Sequence, residues 1–549
     1  MTETAELGHS AGSDRHGDDP GHAASTQRPG AWALVRGQIA HASRDAWRTP
    51  VSMVVTLGLP VLFLVISGLA AGASPGVAGD PMIQRLVPGA AVFAIAMAAF
   101  VMLAYSIALA AEQGVLKRLQ GTPLPAWAYL IGRAGAAAWV AIAGTVLMVA
   151  VGILAYDLQI TPRLLPAAAL GLVVTILAFA ALGFALAMLL RSAQAVMSAA
   201  MGSVVLLGFV SDMYGFSGDM PSGFAAIGWG LPLRHAVEVL ALPLQVDASG
   251  SGIAWVSLAA LLAWGVGGAL AATWAIGREA SRTGGQRAGR RSAARGGAFA
   301  YGSNRLAGMV WGQVRYANRG IWREPVFAGF ALVMPAMFVV ILPQVVGDPV
   351  IDGVAFSTSM VTGMLVFGLA LTAYVALPEM VAVARDRGIL KRLRGTPLPA
   401  WAYLTGRILS VFWITAITTV IVLAAGWLLY DATPATAGWP ALILAILVGV
   451  ACFASLGMTI AALVPNAETV PAVALATFLP LVFLSGIFPL GDTLPELIPA
   501  IAAWLPIAPL VDSVREAFAT GRLLLRELTV VIAWTVLGVT VALARFRWQ

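Results

Sequence analysis

Apolar runs of the length needed to cross a bilayer, about 20 residues, recur along this chain between short polar turns. In the first half they lie at 51–72, 87–111, 134–155, 166–190, 195–211 and 252–276. In the second half they lie at 326–347, 356–381, 408–429, 440–463, 470–488 and 527–545. The pattern predicts an all-α integral membrane protein with about twelve transmembrane helices, six per half. Ahead of each first run lies a short amphipathic stretch, GQIAHASRDAWRTP from Gly37 and GQVRYANRGIWREP from Gly312. Trp47 and Trp322 suit the headgroup region, Arg48 and Arg323 its phosphates, and Pro50 and Pro325 the first turn of the following helix, so two interfacial helices are expected.

Composition agrees: 59% of residues are hydrophobic, 11% are charged and mean hydropathy is +0.87, against roughly a quarter charged in soluble domains. The net charge of +7 raises nucleic acid as a partner, but in a membrane protein the placement of basic residues first sets orientation. Between the halves, Arg278, Arg282, Arg287, Arg290, Arg291, Arg295 and Arg305 stand against the single acid Glu279. The segments on the opposite side carry Asp80, Asp157, Asp212, Asp219, Asp247, Asp431 and Asp492. Both termini are therefore expected in the cytoplasm, with no nucleic-acid partner. The expected organisation is a disordered tail at 1–30, a first half at 31–276, a mobile Gly/Ser/Arg-rich linker at 277–306 and a second half at 307–549. His9, His16 and His22 in the tail match no tight metal-ligand spacing. Cys452 is the single cysteine, so no intrachain disulfide can form.

The halves are copies. Gly114–Arg133, GVLKRLQGTPLPAWAYLIGR, returns as Gly388–Arg407, GILKRLRGTPLPAWAYLTGR, identical at 17 of 20 positions and displaced by about half the chain. The only two lysines of the chain are Lys117 and Lys391, at the same position of the two copies. The adjoining spans, 134–155 against 408–429, match at only 6 of 22 positions. A basic loop is what orientation requires, but that explains charge and not identity, so both loops are expected to touch the same partner surface. Glu112 or Asp386 opens the loop, Lys117-Arg118 or Lys391-Arg392 charges it, and the prolines of TPLP end the helix. Each half also carries a Pro/Gly-rich segment between spans five and six, with Pro221 and Pro232 matching Pro495 and Pro506. A cap of short or re-entrant helices is expected there.

No G-x-x-x-x-G-K-[ST] loop is present, because Lys117 follows Leu116 and Lys391 follows Leu390. The chain cannot hold ATP through such a loop, and neither H-E-x-x-H nor a paired-cysteine metal motif appears. The spans have almost no ionisable residue at their centres, which disfavours an ion-coupled carrier, although Glu379 lies near a span end.

The motif RDRGILKRLRGTPLPAWAYLTGR from Arg385, the six-span half and the SGIFPL run from Ser485 together resemble the membrane subunits of ABC-2 type exporters. The resemblance covers both halves and is similar to double-length permeases of actinobacterial multidrug and ionophore-antibiotic exporters. It implies a loop that docks on a separate ATP-binding subunit, at Glu112, Gly114, Lys117, Arg118, Thr122 and Pro123, and at Asp386, Gly388, Lys391, Arg392, Thr396 and Pro397. The first copy departs with Ala111 and Gln113 where the second has Arg385 and Arg387. Two near-identical loops imply two copies of one ATPase, which would carry the ATP and Mg, with no cofactor in this chain. The implied cargo is a hydrophobic or amphipathic small molecule, or a lipid, moved outward between the halves. Phe93 with Phe100, and Phe367 with Tyr374, are each seven residues apart and expected to share a face; they line that path or pack against neighbouring helices. The alternatives are a major-facilitator-type carrier, whose loop would want a glycine where Ala382 stands, and an energy-independent scramblase or channel.

Overall fold

The computed structural model describes residues 31–48, 50–71, 82–115, 118, 121, 125–190, 192–215, 222–245, 250–285, 311–312, 314–315, 318, 325–351, 353–386, 388–394, 400–465, 467, 469–487 and 497–545. The histidine tail lies outside them. Each half holds six apolar helices in the expected order. Nine helices among the described residues are long and apolar enough to cross a membrane, and the other three positions hold the shorter apolar stretches Thr56–Val65, Leu332–Val346 and Val473–Leu484. Strand is confined, among the described residues, to the two-residue hairpin of Val350–Ile351 and Val354–Ala355. The expected helix ahead of the first span is present as Ala31–Arg48 and lies along the third span, Ala126–Tyr156. Its counterpart is described in part; there Ser410 Oγ of the third span donates to Asn318 Oδ1 at 2.6 Å.

Burial singles out the second span of each half, Ile83–Glu112 and Phe356–Asp386, whose most apolar stretches are 72% and 89% buried. The third and sixth spans, at 17–33%, turn apolar side chains such as Leu154, Val256 and Leu543 outward, as lipid-facing helices do. Glycine lets neighbours reach the second span. A Cβ on Gly89 would overlap the Met213 carbonyl oxygen, and one on Gly363 would stand 2.8 Å from that of Ile487. These are the same contact in the two copies of the repeat. Midway along, Ala96–Met102 and Leu371–Ala376 widen to π-helix, with i→i+5 bonding. The fourth span lays Gly183 and Gly457 on the carbonyls of those turns, Ala99 and Ala373.

The fifth spans, Ala193–Val210 and Val470–Leu484, also reach across to the opposite half. The first packs on the other half's first span, Pro325–Val346, and the second on Pro50–Ala71. Past each fifth span the expected cap is made of short helices, Ser222–Trp229 with Pro232–Ala241 and Leu497–Ala502 with Ile507–Ala519. Both caps are tied to a left-handed residue at the end of the fifth span, by different chemistry. Arg234 pairs with the Asp212 carboxylate at 3.0 Å, whereas Arg515 donates to the Gly486 carbonyl at 3.2 Å.

One expectation is corrected. The sixth span continues as helix to Gly285, through the start of the stretch read as a mobile linker. No proline interrupts residues 277–285, two of the three glycines fall at the very end, and the Arg278 guanidinium stacks 5.0 Å above Trp274, one turn back. The rest of that linker lies outside the described residues.

Gly89→Ala and Gly363→Ala should each destabilise the protein by about 1–3 kcal/mol, the cost of overpacking a full contact. Gly267→Ala, in the sixth span with nothing within 4 Å of the new Cβ, should be neutral or stabilising. Thermal unfolding in detergent checks the contrast; equal effects at the three sites would contradict it.

Candidate functional site

The second span stops at a glycine. Gly114 and Gly388 adopt φ of 70° and 66°, a left-handed conformation that costs glycine little and other residues more. Their N–H groups close the helix on Ala111 O at 3.1 Å and Arg385 O at 2.9 Å, and their carbonyls accept from Arg118 and Arg392, both at 3.1 Å, to start a new helical turn. In the second copy that turn is the helix Ile389–Arg394. The result is an elbow that turns cations outward: Arg118, Lys391 and Arg392 are exposed. The guanidinium of Arg118 folds back to Gln113 O at 2.8 Å. Of the other residues expected to dock, Lys117, Thr122, Pro123, Thr396 and Pro397 lie outside the described residues.

The two acids of that expectation point elsewhere. Glu112 Oε1 accepts the Ala193 N–H at 2.7 Å, and Asp386 Oδ2 accepts the Ala467 N–H at 3.0 Å. Acceptors and donors both occupy equivalent positions of the two copies. The carboxylates therefore fasten the end of the second span to the start of the fifth. Arg385 extends the fastening in the second half alone, donating to Ala461 O and Val464 O at 2.7 Å and Pro465 O at 2.8 Å. The methyl group of Ala111 can make none of these bonds. At the far end of the repeated 20-mer, Arg133 and Arg407 donate to Tyr129 and Tyr403 at 3.2 and 3.3 Å, with guanidinium carbons 5.5 and 5.4 Å from the ring centroids. The glycine and the Arg–Tyr pair of the 20-mer are thus used in internal bonds, while Lys391 and Arg392 turn to the outside.

The aromatic residues meet in the seam between the halves. Phe93 packs edge-on against Phe63 at 6.4 Å and Tyr214 at 6.1 Å, and Tyr214 lies 4.4 Å from Phe209. Phe209 then crosses to Phe338 of the other half at 5.4 Å and an interplanar angle of 83°. The series continues through Phe367 at 6.0 Å to Phe478 at 5.7 Å, and from Phe478 to Tyr374 at 6.1 Å. The Tyr374 hydroxyl shares a hydrogen bond of 2.9 Å with the Thr477 hydroxyl. Of these contacts, Phe209–Phe338 joins the two halves. Phe100 stands apart, its ring 6.3 Å from Phe179 of the fourth span in its own half. In the second half, where a π-helical turn falls at the same place, Phe367 and Tyr374 both reach Phe478. A polar contact does join the two halves, between Glu379 and the Gln194 side chain. Sequence pattern alone does not single out the glycine contacts, Phe209, Phe338, Phe478 or Gln194; for the glycines the signal is present, as pairs at matching positions of the two copies.

The ABC-2 type transporter family matches this chain twice, at residues 32–242 and 310–519. A protein of Bacillus subtilis (strain 168), YvfS, whose name assigns it to the transport permeases, is 24% identical over 217 residues, which is 40% of this chain and 88% of that protein. Both results treat one half of this chain as a whole unit.

The Phe209–Phe338 pair should be measurable as a coupling between the halves. A double-mutant cycle with Phe209→Ala and Phe338→Ala should give an interaction of about 0.5–1.5 kcal/mol, read from reversible unfolding in mixed micelles. Strict additivity would mean that the ring contact adds nothing to the seam.

Proposed function

The chain belongs to the ABC-2 type transporter family, and from that premise we propose that it exports hydrophobic or amphipathic small molecules, driven by two copies of one ATP-binding subunit. Membrane transport itself follows from the family; the cargo class, the outward direction and the copy number are our reading. Family membership sets aside the secondary-carrier and channel alternatives. ATP and Mg belong to the partner subunit.

The observation that carries the reading is the duplicated elbow. Each of two left-handed glycines opens a matching Lys-Arg pair, one in each copy of the repeat. A charged, helical corner repeated on both halves suits two copies of the same acidic or polar groove. Gly114 and Gly388 shape the corner, Lys117, Arg118, Lys391 and Arg392 supply its charge, and Thr122, Pro123, Thr396 and Pro397 end it. This face lies in the cytoplasm, where the ATP is, so the caps face outward. Opening the seam separates the ring series, and Phe93, Phe367 and Tyr374 then line the route, with Phe100 one layer behind on Phe179. Rings of this kind hold apolar cargo without fixed polar geometry, which supports drugs, antibiotics or lipids as the class.

The tagged chain purified in mild detergent should carry one ATP-binding protein at about two copies, identified by mass spectrometry. Lys117→Glu with Lys391→Glu should remove it by reversing the charge at both corners. Recovery of two different ATP-binding proteins, or of a single copy, would overturn the symmetric arrangement.

A further inference from the structure

We infer that Glu112 and Asp386 are transmission residues: they convert movement of the docked elbow into movement of the fifth span, and so of the seam. This rests on the exporter reading above. Each carboxylate sits two residues before the elbow glycine and holds a backbone N–H, that of the first residue of the fifth span in the first half at 2.7 Å and that of Ala467, in the turn leading into the fifth span, in the second at 3.0 Å. The bond recurs at equivalent positions although one side chain is a methylene longer. In the first half the donor, Ala193, is the first residue of its helix, and Ser192 Oγ takes the Ala195 N–H beside it at 3.1 Å. A charged acceptor on such a terminus is stronger than a neutral one and is favoured by the helix dipole.

The route does not stop there. Each fifth span packs on the first span of the other half, and Phe209 meets Phe338 across that contact. A displacement of one elbow is therefore delivered to the opposite half through a continuous chain of a charged hydrogen bond, one helix and a ring contact. The two routes are unequal. Arg385 also bolts the second elbow to the carbonyls of Ala461, Val464 and Pro465, so the whole turn between the fourth and fifth spans follows it. At the first elbow Ala111 stands in the place of Arg385, and its methyl group makes no such bond.

The test uses the full chain with its ATP-binding subunit in lipid nanodiscs. Cys452 is replaced by alanine, and spin labels sit at Gly223→Cys and Leu497→Cys, exposed positions on the caps. In the wild type, trapping with Mg·ATP and vanadate should move the label distance. Glu112→Ala with Asp386→Ala should keep the ATP-binding subunit and its hydrolysis while the moved population falls about tenfold. Glu112→Gln with Asp386→Asn keeps a carbonyl acceptor and should restore most of it. Hydrogen exchange at the start of the fifth span, faster in the alanine pair and native-like in the amide pair, reports that only the bond was lost. Should the alanine pair not fold, Glu112→Ala alone, in the elbow where Ala111 stands in place of Arg385, is read the same way. An unchanged distance shift in the alanine pair overturns the inference, as does loss of the ATP-binding subunit, which would make the acids docking residues. A wild type that recruits no ATP-binding subunit would instead overturn the exporter reading, and the transmission role with it.

Discussion

Helices in lipid gain little by hiding apolar surface from one another, because the lipid is as apolar as the side chains; they associate by close packing and internal hydrogen bonds. In this protein that constraint falls on the second span of each half. Gly89 and Gly363 admit the backbone that ends the fifth span, and Gly183 and Gly457 bring the fourth span onto the carbonyls of the π-helical turn. With the second span gripped at both places, the third and sixth spans are left to face lipid. The elbow then emerges from the end of the most constrained helix, where a push has the least slack.

Duplication placed these contacts twice, and the copies show which parts of each contact matter. The close approaches of Gly89 and Gly363 are the same at both sites, and so are the bonds of Glu112 and Asp386. The cap is tied once by Arg234 to a carboxylate and once by Arg515 to a carbonyl, so the position is kept while its chemistry is not. Arg385 has no counterpart at Ala111. A homodimer of single halves would have to keep both elbows alike, whereas a fused chain can hold one more firmly than the other.

Most spans are legible because each is set by its own composition, as in 356–381 against Phe356–Asp386, but the third spans, read from 134 and 408, start eight residues earlier, at Ala126 and Ala400, because the end of the repeated 20-mer is already helix. The short helices of the caps follow from proline placement. The sixth span reads short, ending at 276, when charge is taken as the end of the helix, although Arg278 and its neighbours continue it to Gly285. Counting in 3.6-residue turns puts Phe100 on the face of Phe93, but its ring packs on Phe179 of its own half, a partner that the spacing does not show.

Local residues alone determined that this chain spans a membrane, that it has two equivalent halves, and that each half bears a basic elbow. Those properties depend on hydropathy, repetition and backbone preference, all of which act over a few residues or are visible by self-comparison. The direction of each side chain within that frame depended on partners far along the chain or in the other half. The carboxylate of Glu112 reaches Ala193, Arg385 reaches Ala461, Tyr374 reaches Thr477 and Phe209 reaches Phe338. An acid at the end of a basic loop looks the same in sequence whether it faces a partner or its own backbone. Only the distance to an unpaired N–H at a helix start tells the two apart.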